Sequence, residues 1–324
     1  MKVWIKCSVI CALLVFIVSG CARQDEKNKR NTAGSGLRIV ITLFPLYDFS
    51  RAIIGDKGTV VMLVPPGMEP HSFEPRPDDV ARISKSSLFI YTNRYMEPWA
   101  DRIVKGIASP QLVVVNAGEG LTYLESTGNA HEKHDHAEEH KHRQSAVYDP
   151  HVWLDFGNAV KMVANITQAI TAADPGNRQY YENNAAALKK RLEDMDKRYS
   201  KGLADCSSRL VMHGGHYAFG YMAHRYKLDY RSLSGVSSES EPSAAKMAKM
   251  VRQIKASGVR YLFAEEMLSP RISETIAAET GASVLRLHGA HNIAVDEYNK
   301  GTTFFDLMDV NLKMLQKGLG CSEK

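Results

Sequence analysis

Short apolar, β-branched runs alternate with longer amphipathic segments along most of the chain. Seven such runs predict strands, at 37–43, 60–64, 88–92 and 112–116 in the first half and at 209–212, 261–264 and 283–287 in the second. Strands that alternate with helices are typical of parallel sheets. The pattern therefore predicts an α/β protein with one parallel sheet in each half.

A long helical pattern separates the two halves. Asp174 and Pro175 supply an N-cap and a first-turn proline, and no Gly or Pro interrupts residues 177–201. Apolar side chains recur on one face, at Tyr181, Leu188, Leu192, Met195 and Tyr199. Such a helix is about 37 Å long at 1.5 Å per residue. We expect two parallel-sheet α/β lobes, at 37–173 and 204–324, joined by one long rigid helix at 174–203.

The first residues have the layout of a secretory signal. Lys2 and Lys6 precede an apolar run at 9–18 that is short for a membrane span. We therefore expect residues 1–20 to be a signal peptide and the protein to be exported. Residues 22–36 are polar and without periodicity, which indicates a tether. No later run is long and apolar enough to span a bilayer.

The apolar run ends in Val18-Ser19-Gly20-Cys21, which resembles the bacterial lipobox. The resemblance implies that Cys21 is lipidated and becomes the first mature residue, at the start of a tether at 21–36. An ordinary signal peptide, or an uncleaved anchor helix with Cys21 incidental, is the alternative. Two thiols, Cys206 and Cys321, then remain in an oxidising compartment, which predicts one disulfide between them; two unpaired buried thiols are the alternative.

The charge balance argues against nucleic acid as a partner. The formal net charge is only +5, and no basic stripe carries interleaved aromatic residues. One segment, 128–145, is rich in histidine, with His131, His134, His136, His140 and His142 among acidic residues and lysines. It cannot build a core, so we interpret it as a loop that scavenges zinc weakly, or as a solvated charged loop with no function.

Four other histidines lie in turns of the kind that follow the carboxyl ends of parallel strands, where such sheets bind ligands. They are His71, His151, His216 and His288. Two come from each half, so they could converge only in a cleft between the lobes. A closed tetrahedral set of nitrogen donors suits zinc, whereas manganese, magnesium and calcium prefer oxygen. Donor type alone leaves nickel, cobalt and copper open.

Three motifs carry a resemblance to a known family. They are GMEPHSFEP at 67–75, DPHVWLD at 149–155 and HYAFGY at 216–221. They are similar to the ligand loops of the cluster A-I metal receptors, the ZnuA-like solute-binding proteins of zinc and manganese ABC importers. The likeness covers about residues 37–317 and implies two α/β lobes bridged by a helix. His216 stands where the manganese branch usually has Glu, which favours zinc.

The resemblance also implies a function and partners. The protein would be an extracytoplasmic receptor, not an enzyme, that captures Zn2+ and delivers it to an ABC importer permease with its ATPase. It would be a monomer, held at the cell envelope by its lipid. The alternatives are a manganese-type receptor or metal-binding adhesin of the same fold, and a zinc hydrolase, which would need an open coordination position and a base.

The fourth ligand departs from the family pattern, which commonly has an Asp just after the last strand. By position His288 replaces it, and His291, Glu265, Glu266 or a water molecule are the alternatives. His213 is interpreted as structural. Carboxylates near the motifs could orient the imidazoles or simply cap turns, namely Glu69, Glu74, Asp149 and Asp155.

Overall fold

The computed structural model describes residues 36–107, 109–126, 146–236, 242–265 and 270–322. The predicted signal peptide, Cys21, the tether before Gly36, Glu266 and the five histidines of the loop lie outside these residues. In the first half, four parallel strands form one sheet, β1 (Leu37–Ile41), β2 (Gly58–Met62), β3 (Leu88–Tyr91) and β4 (Val113–Asn116). Their order is β2-β1-β3-β4.

A second parallel sheet repeats this order as β6-β5-β7-β8. Its strands are β5 (Leu210–His213), β6 (Asp229–Ser232), β7 (Tyr261–Glu265) and β8 (Ser283–Leu287). The sequence pattern did not predict β6, because its residues DYRS are mostly polar. They suit an edge strand, which pairs on one side only and has its polar side chains exposed.

Helices flank each sheet. The first half has α1 (Phe44–Ile54), α2 (Pro77–Ser84), α3 (Ala100–Gly106) and α4 (Phe156–Ala173). The second half has α6 (Gly220–Tyr226), α7 (Ala244–Ser257), α8 (Arg271–Thr280), α9 (Val295–Asn299) and α10 (Phe304–Leu319). Between them runs the long helix α5 (Arg178–Gly202).

The predicted apolar face of α5 is buried throughout. It packs against α4, α1 and α10. The helix starts later than the proline suggested, because Pro175–Asn177 form a 3-10 turn. The Asp174 carboxylate accepts hydrogen bonds from the Tyr181 hydroxyl at 2.6 Å and from Asn177 at 2.7 Å. Two parallel sheets and one long helix confirm the predicted fold class, while the exact lobe boundaries stay a prediction.

One apolar core continues from the first sheet, past α5, into the second half. Fully buried side chains along it include Phe49, Phe89, Tyr199 and Phe304. A smaller cluster around Met212, Leu262 and Ile276 covers the other face of the second sheet. The large shared core means that the two halves pack as one body.

Polar bonds also cross between the halves. The Asp48 carboxylate accepts the Phe304 N–H at 2.9 Å. From the long helix α5, the Tyr199 hydroxyl donates to the Met308 carbonyl of the second half at 2.7 Å. A disulfide joins Cys206 to Cys321, so α10 is tied to the chain that follows α5. Among the described helices, none has the length and apolar character needed to cross a bilayer.

Candidate metal site

The first candidate ligand, His71, lies in the loop that follows β2. A turn at its start has Gly67 at φ +84°, a conformation that glycine adopts without strain. Further along, the Glu69 carboxylate accepts the His71 backbone N–H at 3.1 Å. The loop thus directs the half-buried His71 ring toward the second half of the molecule.

The second candidate ligand, His151, is fully buried just before a 3-10 turn at Val152–Leu154. Asp149 Oδ1 lies 3.0 Å from the His151 backbone nitrogen and 2.8 Å from its Nδ1. Burial raises the pKa of Asp149 to about 8, because the buried carboxyl group favours its neutral form. Gly220 makes room for this carboxylate, since a Cβ there would collide with Asp149 Oδ2.

The third candidate ligand, His216, has a comparable partner in Glu265 at the end of β7. Glu265 Oε1 accepts the His216 backbone N–H at 2.8 Å and lies 2.5 Å from its Nδ1. Burial alone would raise the pKa of Glu265, but the His216, His213 and His291 rings lower it to about 2. The carboxylate is therefore anionic and holds the Nδ1 proton of His216. Gly215 leaves the space that Glu265 occupies.

The three rings converge through their Nε2 atoms. His151 Nε2 lies 3.2 Å from His71 Nε2 and 3.2 Å from His216 Nε2. Ligand atoms of the three residues all lie within 4.8 Å of one another. Two nitrogens on a tetrahedral zinc ion, at 2.0–2.1 Å each, would be about 3.3 Å apart. The observed spacing thus matches that of a zinc ligand set.

The positions of the ring protons also bear on cation binding. A cation bound at Nε2 of His151 and of His216 would require the proton of each neutral ring to lie at Nδ1, where the ring faces Asp149 or Glu265. Two lone pairs at 3.2 Å repel each other unless a proton or a cation lies between them. Burial first, and then neighbouring His216 and His291, lower the pKa of His71 to about 3, so its imidazole is neutral at physiological pH. The arrangement therefore favours a cation bound to all three rings.

The structure places His291, and not His288, beside these three rings. The His291 ring centroid lies 6.0 Å from that of His71, 6.1 Å from that of His151 and 5.8 Å from that of His216. His291 is buried, and neither of its ring nitrogens has a hydrogen-bond partner among the described residues. Burial lowers the pKa of His291 to about 3, so it too is neutral.

His288 has other contacts. Its Nδ1 accepts the Ala290 backbone N–H at 2.9 Å, and its Nε2 lies 3.7 Å from Glu297 Oε2. These contacts hold the His288 ring in the turn after β8. The two histidines are three positions apart in one turn, so the direction of each ring depends on the shape of that turn.

The remaining candidates have structural contacts. Buried His213 lies with its Nδ1 at 3.1 Å from the Tyr230 hydroxyl and 3.2 Å from the His216 carbonyl. Asp155 caps the N-terminus of α4, and Glu74 is exposed. The sequence offers Glu265 only as an alternative ligand. No sequence signal marked it as the partner of His216, because 49 residues separate the two.

Comparison with known proteins places the chain in a family. The model of the zinc-uptake complex component A, periplasmic, matches residues 39–318. The chain belongs to the ZnuA family. This confirms the resemblance seen in the three sequence motifs. The high-affinity zinc uptake system protein ZnuA of Bacillus subtilis (strain 168) is 36% identical over 318 residues, which cover 98% of both chains.

Other members of the ZnuA family agree with this fold. The zinc-binding lipoprotein AdcA of Streptococcus pneumoniae is 31% identical, and the match spans 98% of this chain but 60% of AdcA. The crystal structure of the metal-dependent lipoprotein YcdH of Bacillus subtilis has a TM-score of 0.74 at 35% identity, covering 87% of this chain and 99% of YcdH. The Zn(II)-bound ZnuA-like domain of S. pneumoniae AdcA gives 0.74 at 29% identity, covering 88% and 99%.

Proposed function

We propose that this protein captures Zn2+ in the cleft between its lobes and delivers it to the permease of an ABC importer. The ligands would be His71, His151, His216 and His291. The observation that carries the proposal is the approach of three Nε2 atoms at 3.2 Å, with carboxylates at the Nδ1 atoms of two of the rings. The names of the relatives, which include zinc uptake and zinc-binding proteins, support the choice of metal.

His291 is our choice for the fourth ligand over His288. It is buried next to the other three rings, whereas His288 is engaged by Ala290 and Glu297. A set of four imidazoles would fill a tetrahedral shell and leave no open position for a catalytic water, which supports a receptor over a zinc hydrolase. Four nitrogen donors also disfavour manganese.

The cellular setting is part of the proposal. Export by residues 1–20 and lipidation of Cys21 would hold the receptor at the envelope, and the segment 128–145 would gather zinc weakly near the cleft. Relatives described as lipoproteins support the anchor. We expect a monomer that works with the permease and its ATPase.

Binding is tested by competition titration of the metal-free protein, residues 22–324, with zinc, manganese, nickel and copper. We expect one tight zinc site that survives deletion of residues 128–145, with manganese much weaker. His151→Ala should abolish tight binding. Loss of the tight site with the loop, or a preference for manganese, would contradict the ligand assignment.

The fourth ligand is tested with two variants. His291→Ala should weaken zinc binding strongly, because it leaves three protein ligands. His288→Asn should weaken it much less, because an Asn side chain can still accept the N–H two residues later. The reverse ranking would transfer the assignment to His288. Import is tested by growth of a strain that lacks the gene in medium with a zinc chelator. Growth should be poor, and either added zinc or the intact gene should restore it.

A further inference from the structure

The turn that carries His291 contains a residue in an unfavourable backbone conformation. Ala290 has φ +56°, in the left-handed region that residues with a Cβ rarely adopt, and it is fully buried. Such a conformation persists only where the surrounding structure holds it in place. The contacts around Ala290 therefore identify what sets the position of His291.

The peptide group between Gly289 and Ala290 is held at both ends. Its carbonyl, on Gly289, accepts the Trp153 indole N–H at 2.8 Å. Its N–H, on Ala290, donates to His288 Nδ1 at 2.9 Å. Rotation of this peptide plane would change φ of Ala290 and would break both hydrogen bonds.

Trp153 comes from the other half of the molecule. It is fully buried, lies two residues after His151, and its ring centroid is 5.4 Å from that of His151. The bond to Gly289 spans 136 residues of sequence. The indole thus connects the segment that carries one candidate ligand to the turn that carries another.

Neighbouring contacts fix the two sides of the turn, and Trp153 and His288 contact its central peptide. Asn311 accepts the His288 backbone N–H at 2.7 Å and donates to its carbonyl at 2.9 Å. On the other side, the Asn292 amide donates to the Pro65 carbonyl at 2.7 Å and the Met68 carbonyl at 2.6 Å. Both ends of the turn are anchored, and the Phe44 N–H donates to the His291 carbonyl at 3.3 Å. The 289–290 peptide lies between these anchors, so its orientation contributes to where the His291 ring lies.

We propose that Trp153 is a positioning residue whose indole N–H holds the Gly289 carbonyl and thereby keeps His291 within ligating reach of the other three histidines. The inference rests on the proposed zinc site. In this arrangement the half that carries His151 determines the geometry of a ligand supplied by the other half. Loss of the indole N–H would remove the hydrogen bond from Trp153 to the Gly289 carbonyl and weaken the hold on this peptide.

Trp153→Phe is the direct test, because it keeps a buried aromatic ring and removes the donor. Partners that orient metal ligands typically contribute about 10–100-fold to affinity, and we expect a loss of that order for zinc. With Co2+ as a spectroscopic probe, the visible absorption typical of four-coordinate cobalt should weaken. Trp99 is another buried indole, which packs on Phe73 and Phe89. Trp99→Phe is therefore the matched control, and it should leave the zinc affinity and the cobalt spectrum unchanged.

A double-mutant cycle with His291→Ala separates positioning from general support of the fold. If Trp153 acts through His291, Trp153→Phe should have little further effect on zinc affinity once that ring is gone. An equal loss in both backgrounds, or no loss in the single variant, would overturn the inference. Failure of the unaltered protein to bind zinc would instead refute the proposed function.

His288 provides a second test should Trp153→Phe fail to fold, as judged by thermal melting. His288→Ala frees the other end of the same peptide and should also weaken zinc binding and the cobalt spectrum. His288→Asn, which can accept the Ala290 N–H, should restore most of both. Equal behaviour of the two variants would show that the peptide is not held in this way.

Discussion

Replacement of Glu265 by Gln gives a sharp test of the site, because it removes a charge and little else. Glu265 Oε1 contacts both the backbone nitrogen and Nδ1 of His216, at 2.8 and 2.5 Å. Gln has nearly the same volume and retains an acceptor oxygen, but it loses the negative charge that stabilises a metal-bound imidazole. Partners of this kind contribute about 10–100-fold to metal affinity, so we expect zinc binding to weaken by about 1.4–2.7 kcal/mol.

The assay is a competition titration against a chromophoric zinc chelator near neutral pH. Glu297→Gln is the matched control, since it makes the same change in a Glu–His pair, with Glu297 Oε2 3.7 Å from His288 Nε2. The control should bind zinc as tightly as the unaltered protein. Unchanged affinity in Glu265→Gln, or an equal loss in the control, would refute the idea that Glu265 orients and stabilises His216 as a ligand.

Three further predictions concern packing and stability. Gly289→Ala would place a methyl group 2.6 Å from Nδ1 of His291 and should reduce zinc affinity about tenfold or more. Gly106→Ala is the control, because a Cβ there meets open space, and it should leave zinc affinity unchanged. Replacing Cys206 and Cys321 by Ser should lower the free energy of unfolding by about 3–5 kcal/mol, given their separation of 115 residues, and leave zinc affinity intact, as urea melts and titrations would show. Burial raises the pKa of Glu97 from 4.5 to about 7, so the folded protein keeps a proton that the unfolded chain releases above pH 4.5. The free energy of unfolding of the metal-free protein should therefore fall by about 3 kcal/mol as pH rises from 4.5 to 7. Urea melts of Glu97→Gln over the same pH range should lack this fall. If the variant keeps the same pH dependence, Glu97 is not its cause.

The architecture was accessible from sequence because its signals are local. Apolar runs predicted seven of the eight strands found in the described residues, and the apolar face from Tyr181 to Tyr199 predicted the long helix. The edge strand β6 was not predicted, because its sequence DYRS has no alternation of apolar and polar residues. Its position depends on backbone pairing with β5, from Leu210↔Asp229 to His213↔Ser232, which a pattern of side chains does not reveal.

The metal site could be predicted only in part, because local sequence patterns do not show contacts between distant residues. Three histidines that the structure brings together lie in distinctive motifs, and Asp149 lies beside one of them. The choice between His288 and His291 depends on the left-handed Ala290 and on a bond from Trp153 that spans 136 residues. Neither feature can be seen in the local sequence pattern, so the sequence favours His288 as the fourth ligand from its position directly after the strand.

The apolar core shared by the two halves has a consequence for how the molecule unfolds. Since Tyr199 and Phe304 are buried in the same continuous cluster as Phe49 and Phe89, neither half can lose its structure without exposing a large apolar face of the other. A receptor built in this way should melt in a single cooperative transition, and a fragment that contains one lobe should aggregate. Ligand bound in the cleft would then protect the whole chain from proteolysis, including strands far from the bound ion.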